Sequence, residues 1–132
     1  MGRRAVAVII KENQMLLMHR IKDEREYFVF PGGGVKDGET VEEAVIRELR
    51  EELGLDIKLK RLLFDIENRG RCEFYFLVTE FSGNPILGGE EKDRMNKANQ
   101  YHPMWRDLGE IKSLFNLYPE LARQKIEEII EK

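Results

Sequence analysis

The chain has 132 residues, which at ~150 residues per domain is one domain with room for a real core. Its 22 lysines and arginines against 25 aspartates and glutamates leave a net charge of −3, which argues against a general binder of nucleic-acid backbone. Two histidines and a lone cysteine, Cys72, exclude a Cys/His zinc cluster and a disulfide framework, and fit a reducing, cytoplasmic setting. The first apolar run, residues 5–10, is far short of the ~20 needed to cross a bilayer. It is followed by Lys11-Glu12 rather than by a cleavage site. The expectation is a soluble protein of one domain over residues 1–132, with no membrane or nucleic-acid partner.

Residues 4–11 form a β-branched apolar run and read as a strand. Glu12-Asn13 read as a turn and residues 14–20 as the returning strand. The charged residues 21–26 read as a loop. Residues 27–30, Tyr-Phe-Val-Phe, read as a short aromatic strand stopped by Pro31 and three glycines. Residues 40–53 carry the clearest helix signal. Thr40 and Glu43 have the spacing of a capping box, Gly54 suits a left-handed C-cap, and Leu55 can fold back onto Leu49. Residues 57–67 and 72–81 read as two more strands around a turn at 68–71. Residues 82–100 are polar and read as the longest structureless stretch, either functional or mobile. A short strand is expected over 101–106, and a final helix from Pro119 to about residue 131 with Leu121, Ile126, Ile129 and Ile130 apolar. This order gives an α/β or α+β class with a mixed sheet.

The 40–53 helix carries the chemistry. With ~100° per residue from Val41 at ~0°, Val45, Leu49, Leu53 and Ile46 fall between ~40° and ~140°, a core stripe. Glu48 and Glu52 fall within ~20° of Val41, on the margin of that stripe, and Glu51 lies further round at ~280°. Three acids at i, i+3 and i+4 repel one another, and the last turn of a helix disfavours anions. Arg47 and Arg50 offset part of this, and a divalent cation would offset more. Hard oxygen ligands on one rigid face suit Mg²⁺ or Mn²⁺ shared with phosphate oxygens. The plainer reading is a solvated acidic face. The preceding Pro31-Gly32-Gly33-Gly34 turn permits close backbone approach to a ligand, or is simply a tight connection.

Gly33, Glu39, Arg47-Glu48-Leu49, Glu51-Glu52 and Gly54-Leu55 stand at nine specified positions in 23 residues. Their spacing resembles the complete Nudix box, with no departure at a fixed position. The hairpin before the box and the two strands after it extend the resemblance over nearly the whole chain. It implies an α/β/α sandwich around a central mixed sheet and hydrolysis of a nucleoside diphosphate linked to another moiety. By position, Glu48 and Glu52 would be the main metal ligands. Glu51 would be a further ligand or the residue that activates water, and the Gly32 carbonyl would complete the coordination. Arg47 would orient a catalytic glutamate, supported by Glu39, with Gly33 in the preceding turn. The base would be a box glutamate, or Glu90 or Glu91 from the long loop. Homodimers are common among such proteins, though no feature of this sequence marks an interface.

The substrate is read more thinly. Arg20 ends the second strand, where similar MutT-like enzymes carry a phosphate-binding arginine; a surface charge is the alternative. Phe28 and Phe30 share a strand face that could stack a base, or else pack in the core. Trp105 reads as core, and His19 and His102 as surface or edge residues. The proline expected beyond the box in ADP-ribose hydrolases is replaced by Arg71. The tyrosine of dinucleoside polyphosphate hydrolases is out of register, with Glu73 in its place and Tyr75 two residues late. Elimination leaves a nucleoside triphosphate, oxidised purines included, as the expected substrate. The alternatives are a non-catalytic nucleotide sensor on the same fold, or a hydrolase of ADP-ribose or dinucleoside polyphosphates.

Overall fold

The computed structural model describes residues 2–88 and 95–130. Its strands are β1 (Arg3–Lys11), β2 (Gln14–Lys22), β3 (Arg25–Val29), β4 (Gly32–Gly34), β5 (Asp56–Asn68), β6 (Arg71–Ser82), β7 (Asn99–Asp107) and β8 (Leu117–Tyr118). The helices are α1 (Val41–Leu53), α2 (Leu108–Ile111) and α3 (Glu120–Ile130). The strands form one mixed sheet in the order β5-β6-β1-β2-β3-β8, with β4 also pairing with β1 and β7 with β2.

β1 is central and buried on both faces, which is why its sequence is a continuous apolar run rather than an alternating one. Ala5, Ala7 and Ile9 join the core under α1, with Ala44, Val45, Leu49 and Leu53. Val6 and Val8 face a second core, closed by Ile111 of α2 and Ala122 and Ile126 of α3. The α/β/α layering is therefore present. No helix of the described residues is long and apolar enough to cross a membrane.

β1 and β2 pair next to their turn, at Ile10 with Met15 and Lys11 with Gln14. Further along, β1 pairs with β4 and in parallel with β6, whereas β2 pairs with β3 and along its full length with β7. The two strands part like a wedge, and the wedge opens beside α1.

Several expectations need correction. Residues 21–26 are not a loop. β2 runs to Lys22 and β3 begins at Arg25, leaving Asp23 and Glu24 as a two-residue turn with φ of 49° and 68°. That is the twist-matched hairpin turn also made by Glu12-Asn13. Charge there reports strand exposure, not loss of strand. The three glycines do not merely stop β3; they form β4, antiparallel to β1. The structureless stretch is shorter than 82–100, because Ser82 closes β6 and Asn99 opens β7. Within it, Ile86 N–H donates to Leu53 O (3.0 Å) and Gly88 N–H to Glu52 O (2.7 Å), covering the C-terminal carbonyls of α1. Leu121 is 47% exposed, and Ala122 takes the core position on α3.

The limits of α1 follow its sequence closely. The Thr40 hydroxyl accepts from Glu43 N–H at 3.0 Å, and Thr40 N–H donates to the Glu43 carboxylate at 2.9 Å. Gly54 is left-handed, and Leu55 N–H reaches Leu49 O at 3.1 Å. Thr40→Ala is expected to lower stability by about 1 kcal/mol, seen as a lower urea midpoint at constant slope.

Candidate active site

The wedge between β1 and β2 is a cleft lined by Arg4 of β1, Met18 and Arg20 of β2, Val29 of β3 and Tyr101 of β7. Phe30, Pro31 and Gly32 form its turn side, and Glu48, Leu49, Glu52 and Leu53 of α1 close it. Two of the four box glutamates thus reach the cleft. The helical angles explain this, because Glu48 and Glu52 flank the stripe that packs on the sheet. Glu51 lies on the outer flank and is 49% exposed.

Arg47 organises the acids. Its Nε and Nη2 grip the two Glu39 oxygens at 2.7 and 3.0 Å. Nη1 donates to Glu48 at 2.9 Å and Glu51 at 3.1 Å, and Nη2 also donates to Gly34 O at 3.0 Å. These five bonds match the five N–H donors of a guanidinium, so lysine cannot reproduce the arrangement. The set holds Arg47 well above its ordinary range and draws the Glu39 carboxyl down to about 2. The Arg47 hydrogen bond is the largest cause of the Glu39 shift, and Lys36 N–H, donating at 3.0 Å, is the next. Because the folded-state value is the lowered one, Glu39 stabilises the fold fully above about pH 4.5 and loses that contribution as pH falls toward 2. The thermal midpoint of the wild type should therefore fall more steeply over this range than that of Glu39→Gln.

The glycines are placed for close approach. A Cβ on Gly33 would fall inside contact distance of the Glu48 carboxylate, so this carboxylate rests on the Gly33 backbone. A Cβ on Gly32 would strike the β1 backbone at Ala5 and Val6 instead. Glu48, only 15% exposed, is therefore fixed between Arg47 and Gly33.

Arg20 reaches the opposite lip. Its guanidinium stacks on Tyr101 at 3.9 Å, lies 5.7 Å from the Tyr27 ring, and donates through Nη2 to the Asn99 side chain at 3.1 Å. Sequence reasoning singled out Arg20 but missed Asn99, Tyr101, Met18 and Val29 at or beside the cleft. No short-range signal marks Asn99 and Tyr101, since β2–β7 pairing across some 80 residues brings them in, whereas Met18 and Val29 meet through the β2–β3 pairing.

Phe30 borders the cleft, with its ring edge-on to Tyr75 at 5.5 Å in the second core. Phe28 does not line the cleft. It is 5% exposed in the second core, stacked on His19 at 4.8 Å, because alternation along β3 turns Val29 to the cleft instead. A base-stacking role for Phe28 is thereby withdrawn. Trp105 packs against the first core, stacked on Phe81 at 5.8 Å. His19 bonds Glu26 at 2.7 Å and His102 bonds Gln100 at 2.9 Å. Glu90 and Glu91 lie outside the described residues.

No three His, Cys, Asp or Glu side chains converge on one point among the described residues, so no all-protein metal cage is preformed. The donors suit a different arrangement. Two carboxylates on one cleft wall beside a glycine backbone fit Mg²⁺, which keeps waters and shares substrate phosphates.

A profile of the NUDIX domain family matches residues 1–125. The chain is 38% identical over 90 residues to an ADP-ribose pyrophosphatase of Methanocaldococcus jannaschii, covering 64% of this chain and 53% of that protein. It is 33% identical over 88 residues to an 8-oxo-dGTP diphosphatase of Escherichia coli K12, covering 61% of this chain and 68% of the relative. The chain thus spans about half the length of the first of these. Among solved structures, a MutT NUDIX hydrolase from Burkholderia pseudomallei superposes with a TM-score of 0.70 at 25% identity, covering 96% of this chain and 95% of that one. A structure from work on MutT of Aliivibrio salmonicida and Vibrio cholerae gives 0.76 at 21% identity, covering 98% and 97%, and shows likeness of fold.

Proposed function

This chain belongs to the NUDIX domain family, and from that premise we propose that it is a Mg²⁺-dependent pyrophosphohydrolase acting on a nucleoside triphosphate. The observation that carries the reading is the cleft itself, with Glu48 and Glu52 on one wall and the Arg20 guanidinium among its lining residues. Glu48, Glu52 and the Gly32 carbonyl would hold the metal, with Mn²⁺ as an alternative. When bound, the ion would neutralise the bridge oxygens and make attacking water more acidic.

The chain's own residues do the rest. Arg20 binds a phosphate oxygen. Its stacked and hydrogen-bonded partners Tyr101, Tyr27 and Asn99 are all neutral, so it keeps its net charge. Arg47 holds Glu48 and Glu51 oriented at hydrogen-bond distance. Glu51, more exposed than Glu48, would take a proton from water at its second oxygen. Leu49, Leu53 and Met18 supply an apolar floor.

ADP-ribose is the second reading, favoured by the relative named an ADP-ribose pyrophosphatase. Pyrophosphate or phosphate release with Mg²⁺ tests both. The panel holds normal and oxidised nucleoside triphosphates, ADP-ribose and dinucleoside polyphosphates, with Glu52→Gln as control. Turnover of a triphosphate that is lost in the variant supports the first reading, and preference for ADP-ribose supports the second. Uniform inactivity of a folded, Mg²⁺-binding protein would overturn both in favour of a sensor.

A further inference from the structure

Glu73 is a charged side chain buried to 3% exposure and is not among the residues that line the cleft. Burying a carboxylate is unfavourable unless it is paired and hydrogen-bonded. Here both oxygens are used. Oε1 accepts from the Tyr75 hydroxyl at 2.8 Å, and Oε2 accepts from the Asn68 amide at 3.1 Å and faces Arg4 Nε at 3.8 Å. Burial and the neighbouring carboxylate keep the Tyr75 phenol far above its ordinary range, so it stays a donor. Arg4 is the cross-strand neighbour of Glu73 on one side and of Gly34 on the other. The glycine position has no side chain, and Arg4 lines the cleft at its β1 lip.

We propose that Arg4 is a specificity-determining residue, held by Glu73 so that its guanidinium donates to the carbonyl-bearing edge of the substrate base and selects a 6-oxopurine over a 6-aminopurine. The inference rests on the reading of the cleft as a nucleotide site. The two cleft arginines differ in the way this division requires. Arg20 has neutral partners and keeps a net charge suited to phosphate. Arg4 is charge-compensated by Glu73 through Nε, which weakens its pull on an anion but leaves both Nη groups as donors. Among the described residues no hydrogen bond occupies them. A neutral edge with two acceptors, such as O6 and N7 of a 6-oxopurine, matches a guanidinium fork. A 6-amino group would point a donor at a donor. Phe30 and Pro31, beside Arg4 in the lining, offer apolar surface to a ring. Glu73, Asn68 and Tyr75 are positioning residues in this scheme, not contacts.

The test compares two ligands that differ at ring position 6. Equilibrium titration of IMP and AMP is run beside kcat/KM for ITP and ATP. The wild type should favour the 6-oxo ligand by about tenfold to a hundredfold, the discrimination expected of one bidentate arginine contact. Arg4→Met, which keeps the apolar stem, should bring both ratios close to one, with the loss falling on KM rather than kcat. Arg4→Lys, which keeps the charge without the fork, and Glu73→Gln, which loosens the support, should each lower the ratio. A merely structural role would reduce all substrates equally and leave the ratio in place. Absence of preference in the wild type, or its persistence in Arg4→Met, overturns the proposal. If no triphosphate is hydrolysed, the catalytic reading fails while the IMP and AMP titration still decides the role of Arg4. Should Arg4→Met not fold, the ratio in Arg4→Lys decides.

Discussion

Glu52→Gln is expected to lower kcat/KM by about a thousandfold or more, equivalent to roughly 4 kcal/mol of transition-state stabilisation. The amide keeps the size of the side chain and removes the charge that would hold a divalent ion against the bridge phosphates. The acid repulsion along α1 should also ease. Glu52 follows Glu48 by four residues on a helix that already carries Glu51, so neutralising one acid relieves repulsion by a few tenths of a kcal/mol. Steady-state kinetics and a thermal melt, taken together with a Mn²⁺ titration, check all three parts. Glu48→Gln should lose as much activity and also disturb Arg47, which donates to it at 2.9 Å. Glu51→Gln should lose less at saturating metal, because that carboxylate is half exposed. An active Glu52→Gln, within tenfold of wild type, would sink the metal-ligand assignment.

Gly33→Ala and Gly32→Ala should fail in opposite ways, although they are adjacent. The new methyl at residue 33 meets only the far end of the Glu48 side chain. That end can move, so the fold should survive with a melting temperature near that of the wild type. The displaced carboxylate should lower kcat about a hundredfold, the effect of moving a reacting group by about 1 Å. At residue 32 the methyl meets the backbone of Ala5 and Val6 in the central strand. Backbone in the middle of a sheet cannot step aside, so this variant should lose several kcal/mol of stability, at the upper end of single substitutions. Urea unfolding and kinetics on both proteins separate the cases. Equal loss of stability in the two variants would show that Glu48 is not resting on Gly33.

The crowding of acids along one flank of α1 is a local matter, and the sequence carried it. The capping box of Thr40 and Glu43, the left-handed Gly54 and the return of Leu55 to Leu49 depend on residues a few positions apart. So does the placing of Glu48 and Glu52 beside the buried stripe, since a rise of 100° per residue fixes it. The pairing of Arg47 with Glu39 was expected from the family spacing, and both Glu39 oxygens accept from Arg47. The β5–β6 hairpin was also legible, because Arg69-Gly70 has turn chemistry.

Charge misled where it stood for exposure. Residues 21–26 read as a loop, but Lys22, Arg25 and Glu26 are strand residues on a solvated end of the sheet. Period-two alternation gave Phe28 and Phe30 a shared face without saying which face met the cleft. That choice belongs to the packing of α2 and α3, whose Ile111 and Ile126 draw Phe28 into the second core.

By itself, then, the sequence determined α1 with its caps, the acids on its flank, the β1–β2 and β5–β6 hairpins and the NUDIX spacing. Each of these is set by φ/ψ preference or by helical and strand period over a short stretch. Only the tertiary structure decided that β1 and β2 part beyond their shared turn, β1 pairing with β4 and β6 and β2 with β3 and β7. That divergence opens the cleft and sets Arg4 and Arg20 on its two lips, and β7 brings Tyr101 to Arg20 from some 80 residues away. The reason is physical: strand partnership is settled by long-range backbone pairing and by burial of two opposite faces, and neither leaves a mark within the span of a turn.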